Sequence, residues 1–214
     1  MTNLVEFTLT GCTKCEYLPP LHLLCPYLKK LCIKYCTKLQ GIRDNCRYPY
    51  ELEWNQQGAY VSDDDAEDDN YGFPYFPALS RLDIVLCPKL DRMPLFPTVD
   101  AELELYGCSE RLLLRTMIMN SSRLVRPPLS QLSSLLLWEI YDLKYLGVCN
   151  LTSIQYLGIR DCPRLATLPP AMRCLTRLQK LSIQECPLLK ERCREGVGED
   201  WPNISHIPSV ELRD

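Results

Sequence analysis

Thirteen cysteines and two histidines are the residues of this 214-residue chain whose types suit metal binding or nucleophilic catalysis. Cys12-x-x-Cys15 has the spacing of zinc ligands, and Cys32-x3-Cys36 would complete a set of four. A cysteine nucleophile needs a histidine base, and no local Cys–His signature is present. The odd number of cysteines and the lack of a secretory signal after Met1 argue against a disulfide framework.

Most of these cysteines belong to a repeated motif, L-x-I/L-x-x-C-x-x-L. Clear copies start at Leu31, Leu82, Leu157 and Leu181, and weaker copies start at Phe7, Leu103 and Leu135. The motif places one anchor residue in each copy: Cys12, Cys36, Cys87, Cys108, Ile140, Cys162 and Cys186. Four of the six intervals between anchors lie in the 20–29 residue range of leucine-rich repeats. The two longer intervals predict a degraded repeat near Tyr50–Trp54 and an insertion around Met117–Pro128.

The motif predicts a short strand in each repeat. Its leucine and isoleucine alternate at period 2, so both point to one side, and proline after the anchor is expected to end the strand. The chain holds 38 leucines, enough for a continuous core only if the repeats stack. We therefore predict one α/β domain over residues 1–214. It is a leucine-rich-repeat solenoid of about seven to eight irregular repeats, with a curved parallel sheet on its concave face and irregular, 3-10 or short helical structure on its convex side. Residues 190–214 are predicted to cap it.

The anchor position explains the cysteines without metal or catalysis. Leucine-rich repeats place Asn or Cys there, where a small weak donor contacts backbone carbonyls under the turn. Because Cys12 and Cys36 are both anchors, this interpretation is favoured over zinc. We predict no catalytic residue, no metal, no cofactor and no enzymatic activity.

The residues between the core positions are predicted to be exposed on the concave face. Tyrosine and tryptophan recur just before the anchors, and such residues often dominate protein interfaces. The candidate partner-binding residues are Lys34, Tyr35, Arg81, Asp83, Glu104, Tyr106, Trp138, Glu139, Arg160, Asp161, Gln184 and Glu185. An ordinary surface with scattered aromatic residues is the alternative.

Charge and hydropathy exclude other partners. The net charge of −3 gives no basic face for nucleic acid, and no run of about 18 apolar residues would span a membrane. Six of the seven residues in Asp63–Asp69 are acidic, which predicts a solvated loop insertion over residues 58–72. One interpretation is that this loop is only solvated and has no role. The alternative is that it binds a basic patch of the same chain.

The whole chain resembles the leucine-rich-repeat region of plant coiled-coil nucleotide-binding leucine-rich-repeat disease resistance proteins. The resemblance lies in the C-P-x-L repeats, the Leu-Pro-Pro turns and the segment from Cys186 to Pro208. It implies a cytoplasmic recognition module that contacts a pathogen effector or a guarded host protein, and that restrains a nucleotide switch. No phosphate-binding loop motif is present, so nucleotide binding does not follow.

Two alternatives remain: a leucine-rich-repeat substrate receptor of a ubiquitin ligase, and an extracellular plant leucine-rich-repeat protein. The first normally carries an F-box and a more regular period, and the second favours asparagine anchors. Because Met1 is followed almost directly by a repeat, we expect a fragment or truncated product that aggregates unless Met1–Tyr17 is covered.

Overall fold

The computed structural model describes residues 3–42, 76, 78–91, 102–118 and 129–214. Its strands, in chain order, are β1 (Glu6–Thr10), β2 (Tyr17–Leu18), β3 (Lys30–Lys34), β4 (Gly41–Ile42), β5 (Arg81–Val85), β6 (Glu102–Tyr106), β7 (Ser134–Trp138), β8 (Tyr156–Arg160), β9 (Lys180–Gln184) and β10 (Ser209–Arg213). Eight of them form one sheet in the order β1-β3-β5-β6-β7-β8-β9-β10, and every neighbouring pair is parallel. β2 and β4 form a separate parallel pair.

The helices in the described ranges are short. They are α1 (Leu21–Leu24), α2 (Glu110–Ile118), α3 (Pro187–Arg192) and α4 (Trp201–Ile204), together with a 3-10 helix over Pro170–Cys174. None of the helices in these ranges has the length and apolar character needed to cross a bilayer. The predicted α/β class, with a large parallel sheet and few helices, is confirmed.

The repeated leucines and isoleucines build the core because they are in register across the sheet. Leu31 pairs with Leu82, and Ile33 pairs with Ile84, and none of these four side chains is accessible to solvent. The same two positions are buried in β6, β7, β8 and β9. One strand buries only two such side chains, so stability requires stacking of neighbouring repeats.

The strands end at a left-handed residue, which corrects the expectation that proline ends them. In all seven anchor-bearing repeats the residue immediately before the anchor has positive φ, between 47° and 69°. These residues are Gly11, Tyr35, Leu86, Gly107, Glu139, Asp161 and Glu185. Each donates its backbone N–H to a carbonyl of the next strand, as Glu139 does to Arg160 at 3.0 Å. These bonds from neighbouring repeats hold five residues other than glycine in a conformation they rarely adopt.

The C-terminal segment contributes α3, α4 and an eighth strand of the sheet. Val210 and Leu212 of β10 pair with Leu181 and Ile183 of β9, and both pack against the core. The sequence motif did not predict this strand.

A buried carboxylate connects the segment to the preceding repeat. Asp200 is 4% exposed and accepts hydrogen bonds from the Arg192 side chain, the Thr167 hydroxyl and the Leu168 N–H. Burial alone would raise the pKa of Asp200, but these donors hold it below its usual value.

Three sequence predictions lie outside the described residues. They concern the degraded repeat at Tyr50–Trp54, the acidic loop within residues 58–72, and residues 119–128 of the insertion between β6 and β7.

Candidate functional site: the open face of the sheet

The face of the sheet opposite the leucine core, here called the open face, carries the first, third and fifth residue of each strand. In the middle strands β6 and β7 these residues are Glu102, Glu104 and Tyr106, and then Ser134, Leu136 and Trp138. They are half-buried or exposed, whereas Leu103, Leu105, Leu135 and Leu137 between them are fully buried. The alternation of the strands therefore separates a core face from a face available for contact.

Tyr106, Trp138 and Arg160 form a contiguous aromatic and cationic cluster at the carboxyl ends of β6, β7 and β8. They occupy the last position of adjacent strands, so the register brings them side by side. The rings of Tyr106 and Trp138 meet edge to face, with centroids 6.2 Å apart. The Arg160 guanidinium lies 5.8 Å from the Trp138 ring centroid, within the range of a cation–π contact.

Three carboxylates border this cluster because Glu139, Asp161 and Glu185 occupy the left-handed position of consecutive repeats. Glu139 accepts a hydrogen bond from the Tyr106 hydroxyl at 2.9 Å. Glu185 pairs with Arg160 at 2.8 Å. The site thus combines aromatic surface with negative charge.

Tyr141 extends the site beyond the sheet. Its side chain is 54% exposed, and its hydroxyl donates to Asp161 at 3.2 Å. Partial desolvation and the nearby carboxylates raise the pKa of Tyr141 to about 12, and the hydrogen bond to Glu139 raises that of Tyr106. Both hydroxyls therefore stay protonated at neutral pH and donate to the carboxylates, which fixes the two rings.

On β3 and β5, in the other half of the open face, the structure corrects one prediction. Asp83, predicted to be exposed, is only 5% exposed, because the Arg81 side chain lies over it and donates to both carboxylate oxygens at 3.1 and 3.2 Å. Arg81 also pairs with Glu102 at 2.6 Å. Lys34 is half-buried at the end of β3, and Tyr35, one residue later, is 49% exposed. Tyr35 therefore lies one position beyond the row of Tyr106 and Trp138.

The remaining predicted residues lie where the pattern places them. Glu104 and Gln184 are half-buried on the open face, and Gln184 donates to Ser182 at 3.2 Å. Sequence reasoning missed Tyr141, because it follows the anchor Ile140 rather than preceding it. It also missed Glu211 and Arg213, which extend the open face onto β10. Glu211 pairs with Lys180 at 2.6 Å.

The anchor cysteines lie beneath the carboxyl ends of the strands, on the core side. The thiol of Cys87 donates to the Val85 carbonyl at 3.4 Å, and that of Cys108 donates to the Tyr106 carbonyl at 3.4 Å. Corresponding bonds are made by Cys36, Cys162 and Cys186. Ile140 fills the same position without a donor and is fully buried.

Burial makes three of the anchor thiols, those of Cys87, Cys108 and Cys162, poor nucleophiles. It raises the pKa of Cys87 to about 11 and that of Cys108 to about 12. The pKa of Cys162 is also raised, by its hydrogen bond to Cys186 and by burial. A thiolate is the reactive and metal-binding form, so this geometry favours packing over chemistry.

The first anchor, Cys12, lies in a more open environment. It and Cys15 are half-buried, and burial together with the neighbouring Cys12 thiol raises the pKa of Cys15. Within the ranges described, no group of three or more His, Cys, Asp or Glu side chains is arranged to hold a metal ion.

The chain is similar to plant disease resistance proteins. It is 31% identical over 160 residues to "Probable disease resistance protein RF45" and to "Probable disease resistance protein RDL5", both from Arabidopsis thaliana. It is 26% identical over 151 residues to "Probable disease resistance RPP8-like protein 2" from the same plant. These matches cover 64 to 67% of this chain but only 15 to 16% of those proteins. No protein-family profile and no solved structure matches the chain.

Proposed function

We propose that this chain is the protein-recognition part of an intracellular plant immune receptor. In this proposal the sheet is the concave layer of a leucine-rich-repeat solenoid, and the open face binds a pathogen effector or a guarded host protein. The role is binding rather than catalysis. The similarity to disease resistance proteins supports the immune context.

The observation that carries the proposal is the cluster of Tyr106, Trp138 and Arg160 on the open face. Aromatic residues and arginine are enriched among the side chains that dominate binding energy at protein interfaces. Here the register brings three of them together on a face that bears no core leucines. Truncating such a residue typically costs 2 kcal/mol or more, which corresponds to about a 30-fold loss of affinity.

Support also comes from the rigidity of the surface. Trp138 is held by Tyr106 on one side and Arg160 on another, and Arg160 is held by Glu185. A surface already ordered before binding loses little side-chain entropy when the partner arrives, so more of the contact energy appears as affinity.

The proposal is tested by proximity labelling in plant leaves, using the full chain fused to a biotin ligase. The wild-type chain is compared with the double variant Y106A/W138A, with and without pathogen challenge. A matched control, Y27A/V197A, removes two apolar side chains that are 60% and 78% exposed away from the open face.

We expect specific neighbours to be labelled by the wild type and the control and to be lost from Y106A/W138A. Circular dichroism should show the same secondary structure in all three proteins, because the buried leucines are unchanged. Identical labelling by the wild type and Y106A/W138A would contradict the proposal.

A further inference from the structure

Two pairs of a tyrosine and a carboxylate lie beside the cluster of Tyr106, Trp138 and Arg160. Tyr106 donates to Glu139, and Tyr141 donates to Asp161. Among the described residues, neither carboxylate forms an ion pair with a lysine or arginine. Each pair therefore presents a ring and a negative charge side by side.

One arginine of this chain already lies between an aromatic ring and a carboxylate. The Arg160 guanidinium lies against the Trp138 ring and bonds to the Glu185 carboxylate at 2.8 Å. A guanidinium suits this environment because it combines a planar cation, which stacks on a ring, with a fork of donors for a carboxylate. Arg160 thus occupies one aromatic–carboxylate position with the chain's own cation.

We propose that Tyr106–Glu139 and Tyr141–Asp161 receive arginine side chains of the partner, so that this surface selects a protein segment carrying basic and apolar residues. The inference rests on the proposed function and specifies the chemistry of the partner. Glu139 and Asp161 occupy the same position in adjacent repeats, where the strands are about 5 Å apart. Alternate side chains of an extended segment, about 7 Å apart, therefore reach both carboxylates.

The neighbouring surface supports a mixed segment rather than a purely basic one. Leu136 and the backbone of Gly158 lie beside the cluster on the open face and offer an apolar contact, and Glu104 of β6 is in register with Leu136 on its other side. An apolar side chain between two arginines would contact Leu136 and Trp138 while its neighbours reach the carboxylates.

The test uses an acetylated and amidated pentapeptide of alternating arginine and leucine, titrated into the full chain. The indole N–H signal of Trp138, assigned by its loss in W138F, reports binding at the site by NMR. The matched probe replaces each arginine by citrulline, which keeps the shape and removes the charge. The site variant is E139Q/D161N, and the control variant E16Q/E195Q neutralises two exposed carboxylates elsewhere.

The arginine peptide is expected to shift the Trp138 signal, with at least tenfold weaker binding for the citrulline peptide and for E139Q/D161N. E16Q/E195Q should bind within twofold of the wild type, and raising the salt should weaken binding. The inference is overturned if the arginine peptide leaves Trp138 unshifted, if citrulline binds equally, or if the control variant loses as much affinity as E139Q/D161N.

Failure of this inference is distinguishable from failure of the proposed function. If labelling in leaves is lost in Y106A/W138A but kept in E139Q/D161N, the open face binds a partner without basic selectivity. If both variants keep wild-type labelling, the proposed function itself fails.

Discussion

Replacing Asp200 with asparagine removes one negative charge from the C-terminal segment while keeping the volume of the side chain. The Asp200 carboxylate is 4% exposed. Its Oδ2 accepts bonds from the Leu168 N–H at 2.9 Å, the Thr167 hydroxyl at 2.9 Å and the Arg192 Nε at 3.2 Å. Its Oδ1 accepts a bond from the Arg192 Nη2 at 3.0 Å.

The expected cost follows from these four contacts. An asparagine amide oxygen can keep the contacts at Oδ2, but its NH₂ group then faces the Arg192 donor, so that bond is lost. Removing one member of a buried ion pair costs about 3–5 kcal/mol. Since the Arg192 side chain is 36% exposed, water compensates part of the loss. We expect Asp200→Asn to lower the free energy of unfolding by about 2 kcal/mol, less than the loss for a fully buried pair.

The effect should depend on pH in a defined direction. The pKa of Asp200 is lowered in the folded state. Its contribution to stability is therefore complete above the unfolded pKa, about 3.9, and is lost as the pH falls through the folded pKa. The stability difference between wild type and variant should be constant from pH 7 to about pH 5.5 and should shrink below about pH 4.

Urea unfolding followed by circular dichroism measures this difference. The control is Glu199→Gln, which removes the other carboxylate that contacts Arg192 but is 76% exposed, so a loss under about 1 kcal/mol is expected. The reasoning is refuted if Asp200→Asn and Glu199→Gln are equally destabilising at pH 7, or if the Asp200→Asn difference does not shrink in acid.

Two further predictions concern the thiols and one glycine. In the native protein at pH 7.5, iodoacetamide should alkylate the exposed Cys149 and Cys174 well before the buried anchor Cys87, whose pKa is raised to about 11. Mass spectrometry of the peptides checks this, and equal rates would contradict the structural role of the anchor. Gly198→Ala should lower the free energy of unfolding by more than 2 kcal/mol, because a Cβ there would lie 2.1 Å from the Arg192 carbonyl oxygen. A thermal midpoint within 1 °C of the wild type would show that the backbone adjusts freely.

The sequence predicted the strands well because their signal is local and repeated. In the motif Leu-x-Ile-x-x-Cys, the leucine and the isoleucine are the side chains that enter the core. The stacking of repeats then sets the register of the strands. β10 was missed because Val210 and Leu212 carry the alternation without a following anchor. Only tertiary pairing with β9 identifies that strand.

The sequence predicted which residues lie on the open face, but not the contacts between their side chains. Aligning the residues two before each anchor places Tyr106, Trp138 and Arg160 in one row. The edge-to-face geometry and the cation over the ring depend on side-chain rotamers that alternation does not determine. Asp83 illustrates the limit, because its place on the open face followed from the pattern, but its burial depends on how Arg81 folds over it.

The positive φ of the residues before the anchors could be predicted from residue type at only some positions. Glycine at positions 11 and 107 indicates a special conformation before the anchor, but Tyr35, Glu139 and Glu185 adopt it without any signal in their own residue type. Hydrogen bonds from the adjacent repeat impose it. Those same bonds place Glu139, Asp161 and Glu185 beside the aromatic cluster.

The central claim, that the open face binds a protein partner through its aromatic cluster, is tested most directly by calorimetry with a partner found by labelling. Y106A/W138A should bind that purified partner at least 30-fold more weakly than the wild type, with Y27A/V197A within twofold. Equal affinities for the wild type and Y106A/W138A, or an equal loss in Y27A/V197A, would contradict the claim.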